Sequence, residues 1–266
     1  MKGPRMRRII AISSLLIVAA CGGKKEPDLS SFSGRSDRMV WDAGQKALAK
    51  KDWLTAREYF RRIVDGFPNS EYAAQARIAL GDTYLREGGT ANYILAISEF
   101  RQFLTLFPSH ALSDYAQFEI AECFFKQKNS PDRDQSQTRD ALVEYEKVIE
   151  QHPSSQYAVK AQARIKECRY SLARSEHLVG AFYQRSRQAY RSAVLRYESL
   201  ITQYPEYPQM DEILFRLSEC LLATGRNSEA PPYLQRLVAE YPQSRYAEDA
   251  RKILTRLNAA AASSDT

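Results

Sequence analysis

Apolar and polar positions follow a helical period along the chain, and one pattern of this kind occurs five times. Each copy has an alanine, an aromatic residue or leucine four positions later, an apolar residue at position seven and a proline at position twelve. Offsets of four and seven place the apolar residues on one helix face. Proline lacks a backbone N–H and disfavours helical geometry in the preceding residue, so each helix should end before it. The copies are Ala56-Phe60-Ile63-Pro68, Ala96-Phe100-Phe103-Pro108, Ala141-Tyr145-Val148-Pro153, Ala193-Tyr197-Leu200-Pro205 and Ala230-Leu234-Leu237-Pro242.

A second kind of helical segment lies between these copies and begins shortly after the proline. Ser70, Ser155 and Ser244 stand two residues after a proline and are suited to cap a helix N-terminus. Small residues such as Ala76 and Gly81 allow neighbouring helices to approach closely. Helix pairs with glycine, alanine and a closing proline at these places resemble the tetratricopeptide repeat (TPR), which has about 34 residues. We therefore predict an all-α fold, a TPR-like α-solenoid of five helix pairs plus a C-terminal capping helix.

The predicted boundaries follow from the prolines, whose spacings of 40, 45, 52 and 37 residues all exceed the usual repeat length. The extra residues are assigned to turns, including a polar loop over 127–138, and to the fourth repeat. There, residues 165–187 are interpreted as two extended helices that meet near Gly180. The repeats are assigned to residues 37–68, 70–108, 113–153, 155–205 and 208–242, the capping helix to 244–258 and a disordered tail to 259–266.

The N-terminal residues have the composition of a secretory signal. Four basic residues precede an apolar run over 9–20, which reaches only about 18 Å as a helix and is too short to span a bilayer. The small residues before Cys21 resemble the bacterial lipobox, in which this thiol carries diacylglycerol. Residues 1–20 are therefore predicted to be a cleaved signal, Cys21 the lipid-bearing first residue and 21–36 a flexible tether. The alternative is an ordinary signal with a chance cysteine.

Composition argues against several classes of function. The net charge of +6 falls to +2 once residues 1–20 are removed, which weakens any case for nucleic-acid binding. The remaining cysteines, Cys123, Cys168 and Cys220, share one helical context and are interpreted as core residues, with one disulfide pair as the alternative. The sequence has no common catalytic, phosphate-binding or zinc motif. We predict a non-enzymatic protein without a metal, whose only attached group is the lipid on Cys21.

Two local motifs resemble the BamD family of TPR lipoproteins, which belong to the outer-membrane β-barrel assembly (BAM) machinery. One is Pro108-Ser109-His110-x₃-Asp114-Tyr115-Ala116, in which Ala111 replaces a second proline common in the family. The other is Ser130-Pro131-Asp132-Arg133-Asp134-Gln135-x₂-Thr138. The resemblance covers roughly residues 15–257. It implies a scaffold held by its lipid at the outer membrane and facing the periplasm. There the C-terminal repeats dock on the POTRA region of the barrel protein BamA, and the N-terminal repeats engage unfolded barrel precursors. Other BAM lipoproteins are further possible partners.

Carried onto this sequence, the resemblance implies three sets of contact residues. A basic segment of the fourth repeat is the predicted docking surface for the POTRA domain: Arg185, Arg187, Arg191 and Arg196. A loop of the third repeat is a second predicted partner contact: Asp132, Arg133 and Asp134. Aromatic residues of a groove between the first helices of repeats 1 to 3 are predicted to stack on precursors: Trp41, Tyr72, Tyr84 and Tyr115. The respective alternatives are a solvated basic face, acids that favour a helix N-terminus, and core aromatic residues.

Other functions fit much of the same pattern. A generic periplasmic TPR lipoprotein, serving peptidoglycan, pilus or secretion assembly, shares everything except the two local motifs and the count of five repeats. A cell-division coordinator with TPR repeats would carry an N-terminal coiled coil, and residues 22–36 are too short and too rich in glycine and serine to form one. An enzyme is the third alternative, and it would need a site that the sequence does not display.

Overall fold

The computed structural model describes residues 36–264 of the chain, with side chains to residue 260. This part contains eleven α-helices and no strand, which confirms the predicted all-α class. The predicted signal peptide, the lipidated Cys21 and the tether up to residue 35 lie outside the described residues, as do residues 265 and 266. The helices are α1 Asp37–Ala49, α2 Trp53–Gly66, α3 Ala73–Glu87, α4 Thr90–Leu106, α5 Ser113–Phe125, α6 Ser136–Gln151, α7 Gln156–Arg185, α8 Tyr190–Gln203, α9 Met210–Ala223, α10 Ala230–Glu240 and α11 Ala247–Ser264.

Consecutive helices pack against each other along the whole series, and the short turns between them make neighbours antiparallel. The helices form five pairs, α1/α2 to α9/α10, followed by α11, which packs on α10. All fifteen apolar residues of the repeated sequence pattern are 0% exposed. The repeated faces therefore form successive buried clusters along the stack of helix pairs, as expected for a TPR-like solenoid. No helix in the described range is both long and apolar enough to cross a membrane.

The second helix of every pair ends in the same way, at the residue before the proline. Those five residues have φ from −129° to −134° and ψ from 55° to 59°, outside the helical region, and each N–H still donates to the carbonyl four residues earlier. The clash between the proline ring and the preceding residue explains this shared geometry. The residues are Phe67, Phe107, His152, Tyr204 and Tyr241.

The three serines after prolines have a double role. Each side chain accepts a hydrogen bond from the backbone N–H two residues later, and each donates to an aspartate of the preceding first helix: Ser70 to Asp37, Ser155 to Asp114 and Ser244 to Asp211. Only Ser155 is the N-cap of a helix, because α3 and α11 begin three residues after their serine, beyond an additional turn. The serines therefore connect successive pairs as well as ordering the turn.

The fourth pair differs from its prediction. Helix α7 is one continuous helix of 30 residues, Gln156–Arg185, and not two helices that meet near Gly180. A Cβ at Gly180 would lie 2.6 Å from the ring of Tyr197, so this glycine serves close packing on α8 and not a break. The first half of α7 contributes Ala161 and Cys168 to the core shared with α6, and Ala173 belongs to the core formed with α8.

The C-terminus also differs from its prediction. Instead of a disordered tail from residue 259, α11 continues to Ser264. The run of four alanines over 259–262 explains the extension, because alanine has the highest helix propensity of all residues.

Candidate partner-binding surfaces

The four arginines predicted to dock a partner lie on the fourth pair, but they do not form one cluster. Arg185 ends α7, Arg187 lies in the turn and Arg191 is in the first turn of α8, so these three share one corner of the solenoid. Arg196 instead pairs with Glu176 of α7 at 3.2 Å, about two and a half turns back from Arg185. All four side chains are exposed.

The three arginines of this corner differ in whether a nearby carboxylate already neutralises their charge. Arg185 approaches Glu212 of α9 at 3.6 Å, whereas Arg187 lies over the ring of Phe182 and Arg191 forms no ion pair with a described residue. Phe182 itself is 48% exposed. The corner therefore presents two uncompensated positive charges beside an exposed aromatic ring.

Glu212 is a charged residue that the sequence pattern did not single out. It lies near the start of α9 and is approached by three arginines: Arg185 at 3.6 Å, Arg216 at 3.5 Å and Arg245 at 3.5 Å. These arginines come from α7, from α9 and from the turn before α11, so Glu212 connects the end of the solenoid to the corner at the end of α7. Only the contact with Arg216, four residues away on the same helix, is local, and no local motif predicts the approach of Arg185 and Arg245.

The predicted loop of the third repeat is ordered mainly by a residue that the prediction left out. Asp132, Arg133 and Asp134 are exposed, and Asp134 accepts hydrogen bonds from the N–H and hydroxyl of Ser136 at 3.0 Å each, at the start of α6. These bonds lower the pKa of Asp134 below its usual value. This is the arrangement expected for an acid at a helix N-terminus. Arg133 forms no side-chain ion pair with a described residue.

Gln135 anchors this loop from within. Its side chain is buried, and the amide nitrogen donates to the carbonyls of Ser130 at 2.8 Å and Arg133 at 3.1 Å. Its amide oxygen accepts from Thr138 at 2.9 Å and from Ser171 of α7 at 3.1 Å. The loop is therefore bound to α7 and presented as a fixed surface.

The four aromatic residues predicted to line one groove are separated in the structure. Trp41 stacks on Tyr72 with ring centroids 5.6 Å apart, within the first pair and the turn that follows it. Tyr84 is buried, with Arg57 over its ring at 4.6 Å and its hydroxyl bonded to Arg61 at 3.0 Å. Of the four, Tyr115 alone lines the open groove described next. Helical spacing in the sequence does not determine which of these side chains faces an open groove.

An open groove of about 940 Å³ runs between the first helices of the second, third and fourth pairs. Its aromatic lining comes from Tyr93, Tyr115 and Phe118. The charged lining consists of five carboxylates, Asp82, Glu87, Glu119, Glu122 and Glu167, and four cations. The cations are Arg86, Lys126, Lys160 and Arg164.

The carboxylates of this groove are perturbed by their surroundings. Burial, together with the nearby Asp82 and Glu122, raises the pKa of Glu119 to about 7. Burial also raises the pKa of Asp82, although the hydroxyl of Tyr115 donates to it at 2.6 Å. Glu122 is buried and accepts from Tyr145 of α6 at 2.6 Å and from Arg164 of α7 at 2.8 Å. The groove wall is thus fixed by hydrogen bonds that join three pairs.

The three cysteines of the described range are free and buried, and no disulfide joins them. Burial raises the pKa of Cys168 and Cys220 to about 12 and that of Cys123 further, so all three remain protonated thiols. Their environment is that of core residues. Within the described residues, no group of three or more His, Cys, Asp or Glu is placed to hold a metal ion.

Comparison with known proteins gives several matches. The family described as YfiO, outer membrane lipoprotein, matches residues 34–232. Relatives named outer membrane protein assembly factor BamD include one from Caulobacter vibrioides, 29% identical over 251 residues, covering 93% of this chain and 81% of the relative. Another, from Rickettsia prowazekii, is 27% identical over 236 residues and covers 88% and 92%. A solved structure of the TPR2AB domain of yeast Sti1 in complex with pHSP90 is 12% identical, with a TM-score of 0.43, covering 84% of this chain and 98% of that one.

Proposed function

The chain belongs to the YfiO family of outer membrane lipoproteins, and from this premise we propose that it is a scaffold of the outer-membrane protein assembly complex. The name shared by its relatives, assembly factor BamD, is the observation that carries the proposal. The described residues support a role in binding, because they form a stack of helix pairs with two distinct surfaces. These are the arginine-bearing corner of α7 and α8 and the groove between α3, α5 and α7. Such a protein would act without turnover, anchored through lipid on Cys21 at the periplasmic face of the outer membrane.

The proposed docking surface for the POTRA region of a BamA-like barrel protein is the corner formed by α7 and α8, together with the exposed residues Leu195 and Arg196 further along α8. Arg187 and Arg191 carry charges that no described carboxylate neutralises, and Phe182 and Leu195 are exposed apolar residues close by in sequence. Arginine suits interfaces with carboxylates because its planar guanidinium donates several hydrogen bonds in a fixed geometry. A partner surface with acidic residues around an apolar centre would complement this corner.

Replacing Arg196 with glutamate should weaken recovery of the BamA-like partner by about tenfold, equivalent to about 1.4 kcal/mol. The new carboxylate would face Glu176 and repel an acidic partner, while the buried side of α8 stays intact. The measurement is co-purification from detergent-solubilised outer membrane, with helical content checked by circular dichroism.

Lys147→Glu is a matched control, because Lys147 is also a half-exposed cation paired with a glutamate, on the third pair. Lys147 is 41% exposed and Arg196 45% exposed. Undiminished recovery with Arg196→Glu, or an equal loss with Lys147→Glu, would refute docking at this helix.

The groove between α3, α5 and α7 is the proposed site for unfolded barrel precursors. Tyr93, Tyr115 and Phe118 offer ring surfaces for the aromatic residues with which barrel precursors end. Aromatic pairs of this kind gain about 0.5–1.5 kcal/mol beyond the area that they bury. Charges of both signs along the groove would hold the polar residues that alternate with apolar ones in a barrel strand.

A photoreactive amino acid in place of Lys126, which lines this groove, should crosslink a synthetic peptide with the C-terminal sequence of a barrel protein. The same amino acid in place of Lys147, which is half-exposed on α6 and does not line the groove, should give at most background. A peptide in which serine replaces the aromatic residues should also lose the crosslink. Equal crosslinking from the two positions would exclude the groove as the precursor site.

A further inference from the structure

Tyr170 occupies an unusual place near the middle of the 30-residue helix α7, where the core shared with α6 gives way to the core shared with α8. Its side chain is not part of either core and is 46% exposed. A hollow lies on each side of it, and both hollows are also lined by Lys166, one helical turn earlier. The two hollows therefore form one continuous surface, hereafter the Tyr170 surface.

The hollow on the C-terminal side is an aromatic cleft of about 330 Å³. Tyr170 and Tyr207 lie with ring centroids 5.9 Å apart, and Tyr204, Ala173 and Pro208 complete the apolar lining. The hydroxyl of Tyr207 is already bonded to His177 at 3.1 Å, so this ring offers the cleft carbon rather than a free polar group. Arg169 and Glu206 pair with each other at the rim and leave it without a net charge.

The hollow on the N-terminal side, of about 520 Å³, is bordered by the loop of the third repeat. Lys128 and Lys166 both line it, and neither forms an ion pair with a described residue. Its one carboxylate, Glu167, is paired with Arg164 at 3.2 Å. The lining of this hollow therefore has two lysines against one carboxylate, a surplus of one positive charge.

The N-terminal side of the surface is held in a fixed position before any ligand arrives. Ser171, which follows Tyr170 on α7, donates to Gln135, and Gln135 in turn holds the carbonyls of Ser130 and Arg133. Asn129 adds a hydrogen bond to the carbonyl of Asp134 at 3.1 Å. Binding at a preformed surface avoids the entropic cost of ordering a loop.

We propose that the Tyr170 surface is a docking site for an extended, acidic segment of a partner protein that contains proline. A proline ring fits a cleft lined by tyrosines, and a proline-rich segment is extended before it binds, as in other aromatic-lined grooves. Acidic residues next to the proline would face Lys128 and Lys166, which form no ion pair with a described residue. The occupant thus complements the surface in both shape and charge, and its binding would bridge the two cores that meet at the middle of α7.

The test uses the full chain in detergent and a fluorescent peptide, Asp-Glu-Pro-Pro-Asp-Glu, with binding followed by fluorescence anisotropy. The peptide should bind, and its affinity should fall in high salt because the lysine contacts are exposed. Tyr170→Ala and Lys166→Glu should each weaken it about tenfold or more, whereas Tyr170→Phe, which keeps the ring, should bind as the unaltered chain does. A peptide with lysine in place of the acids, and one with alanine in place of the prolines, should bind far more weakly.

Two exposed residues outside every proposed binding surface serve as controls. Val159→Ala shortens an exposed apolar side chain on the same helix, and Lys50→Glu reverses an exposed lysine in the first pair. Neither should change the affinity. The proposal fails if the acidic proline peptide does not bind, if it binds no better than the basic peptide, or if Tyr170→Ala has no more effect than Val159→Ala. Because no BamA-like protein or precursor takes part, such a failure would leave the proposed function untouched.

Discussion

Replacing Phe100 with alanine is expected to lower the free energy of unfolding by about 3–5 kcal/mol, the range for deleting a buried phenylalanine. Its ring is 0% exposed and fills the space between the two helices of the second pair. The ring lies directly against Gly81 of α3, where an added Cβ would be 2.6 Å from Cε1 and 2.7 Å from Cζ. The same arrangement joins Gly44 to Phe60 and Gly180 to Tyr197, so the cost applies to a contact used three times in the solenoid.

Gly81→Ala tests this contact from the opposite helix. The added methyl group has to displace the ring, and overpacking of this kind costs about 1–3 kcal/mol. Combining Gly81→Ala with Phe100→Leu should cost less than the sum of the two single changes, because leucine lacks the ring carbons that the new Cβ would meet. Urea unfolding followed by circular dichroism measures all three variants.

Gly66→Ala is the control for this series. Gly66 ends α2, and a Cβ there would meet nothing within 4 Å. We expect this change to be neutral or slightly stabilising, since alanine restricts the unfolded chain more than glycine does. If Gly81→Ala proved equally harmless, the close approach of glycine and ring would not be what sets the spacing of each pair.

The core of the solenoid follows from local sequence because its rules are local. Offsets of four and seven positions place Ala96, Phe100 and Phe103 on one helix face, and the chain can bury that face only against neighbouring helices. The clash of Pro108 with Phe107 fixes the end of the helix without any distant contact. The fold class could therefore be predicted in full, and the second helix of each pair ends at the predicted place.

The exposed surfaces depend on contacts between residues far apart in sequence, which local sequence patterns do not predict. Nothing near Glu212 indicates that Arg185 and Arg245 approach it, and nothing near Gln135 indicates that Ser171 bonds to it from α7. The sequence pattern predicts two helices that meet near Gly180, where the structure has one continuous helix. The reason for this glycine, the ring of Tyr197, lies on another helix. The predicted docking arginines are exposed, but only the folded chain shows which of them already have partners.

The second large effect is expected at Glu122, whose replacement by leucine should cost about 3–5 kcal/mol of stability. Leucine would leave the hydroxyl of Tyr145 buried without an acceptor and Arg164 without its close carboxylate. Burial and the Glu122 carboxylate raise the pKa of Tyr145 above its usual value, so the phenol stays protonated and needs an acceptor at every working pH. Glu122→Gln keeps an oxygen that can accept from Tyr145, and it should cost less.

Glu167→Leu is the control that isolates burial as the cause. Glu167 also pairs with Arg164, at 3.2 Å, but it is 53% exposed, and an exposed pair contributes at most about 1 kcal/mol. Thermal or urea unfolding should therefore show a clearly larger loss of stability for Glu122→Leu than for Glu167→Leu.

Glu122 also forms part of the proposed precursor groove, so the same variants test whether precursor binding requires a rigid groove. If Glu122→Gln keeps the fold but loses the crosslink from position 126, the charge of the groove matters for precursor binding. If only Glu122→Leu loses the crosslink, the wall that joins α5, α6 and α7 is what the precursor requires.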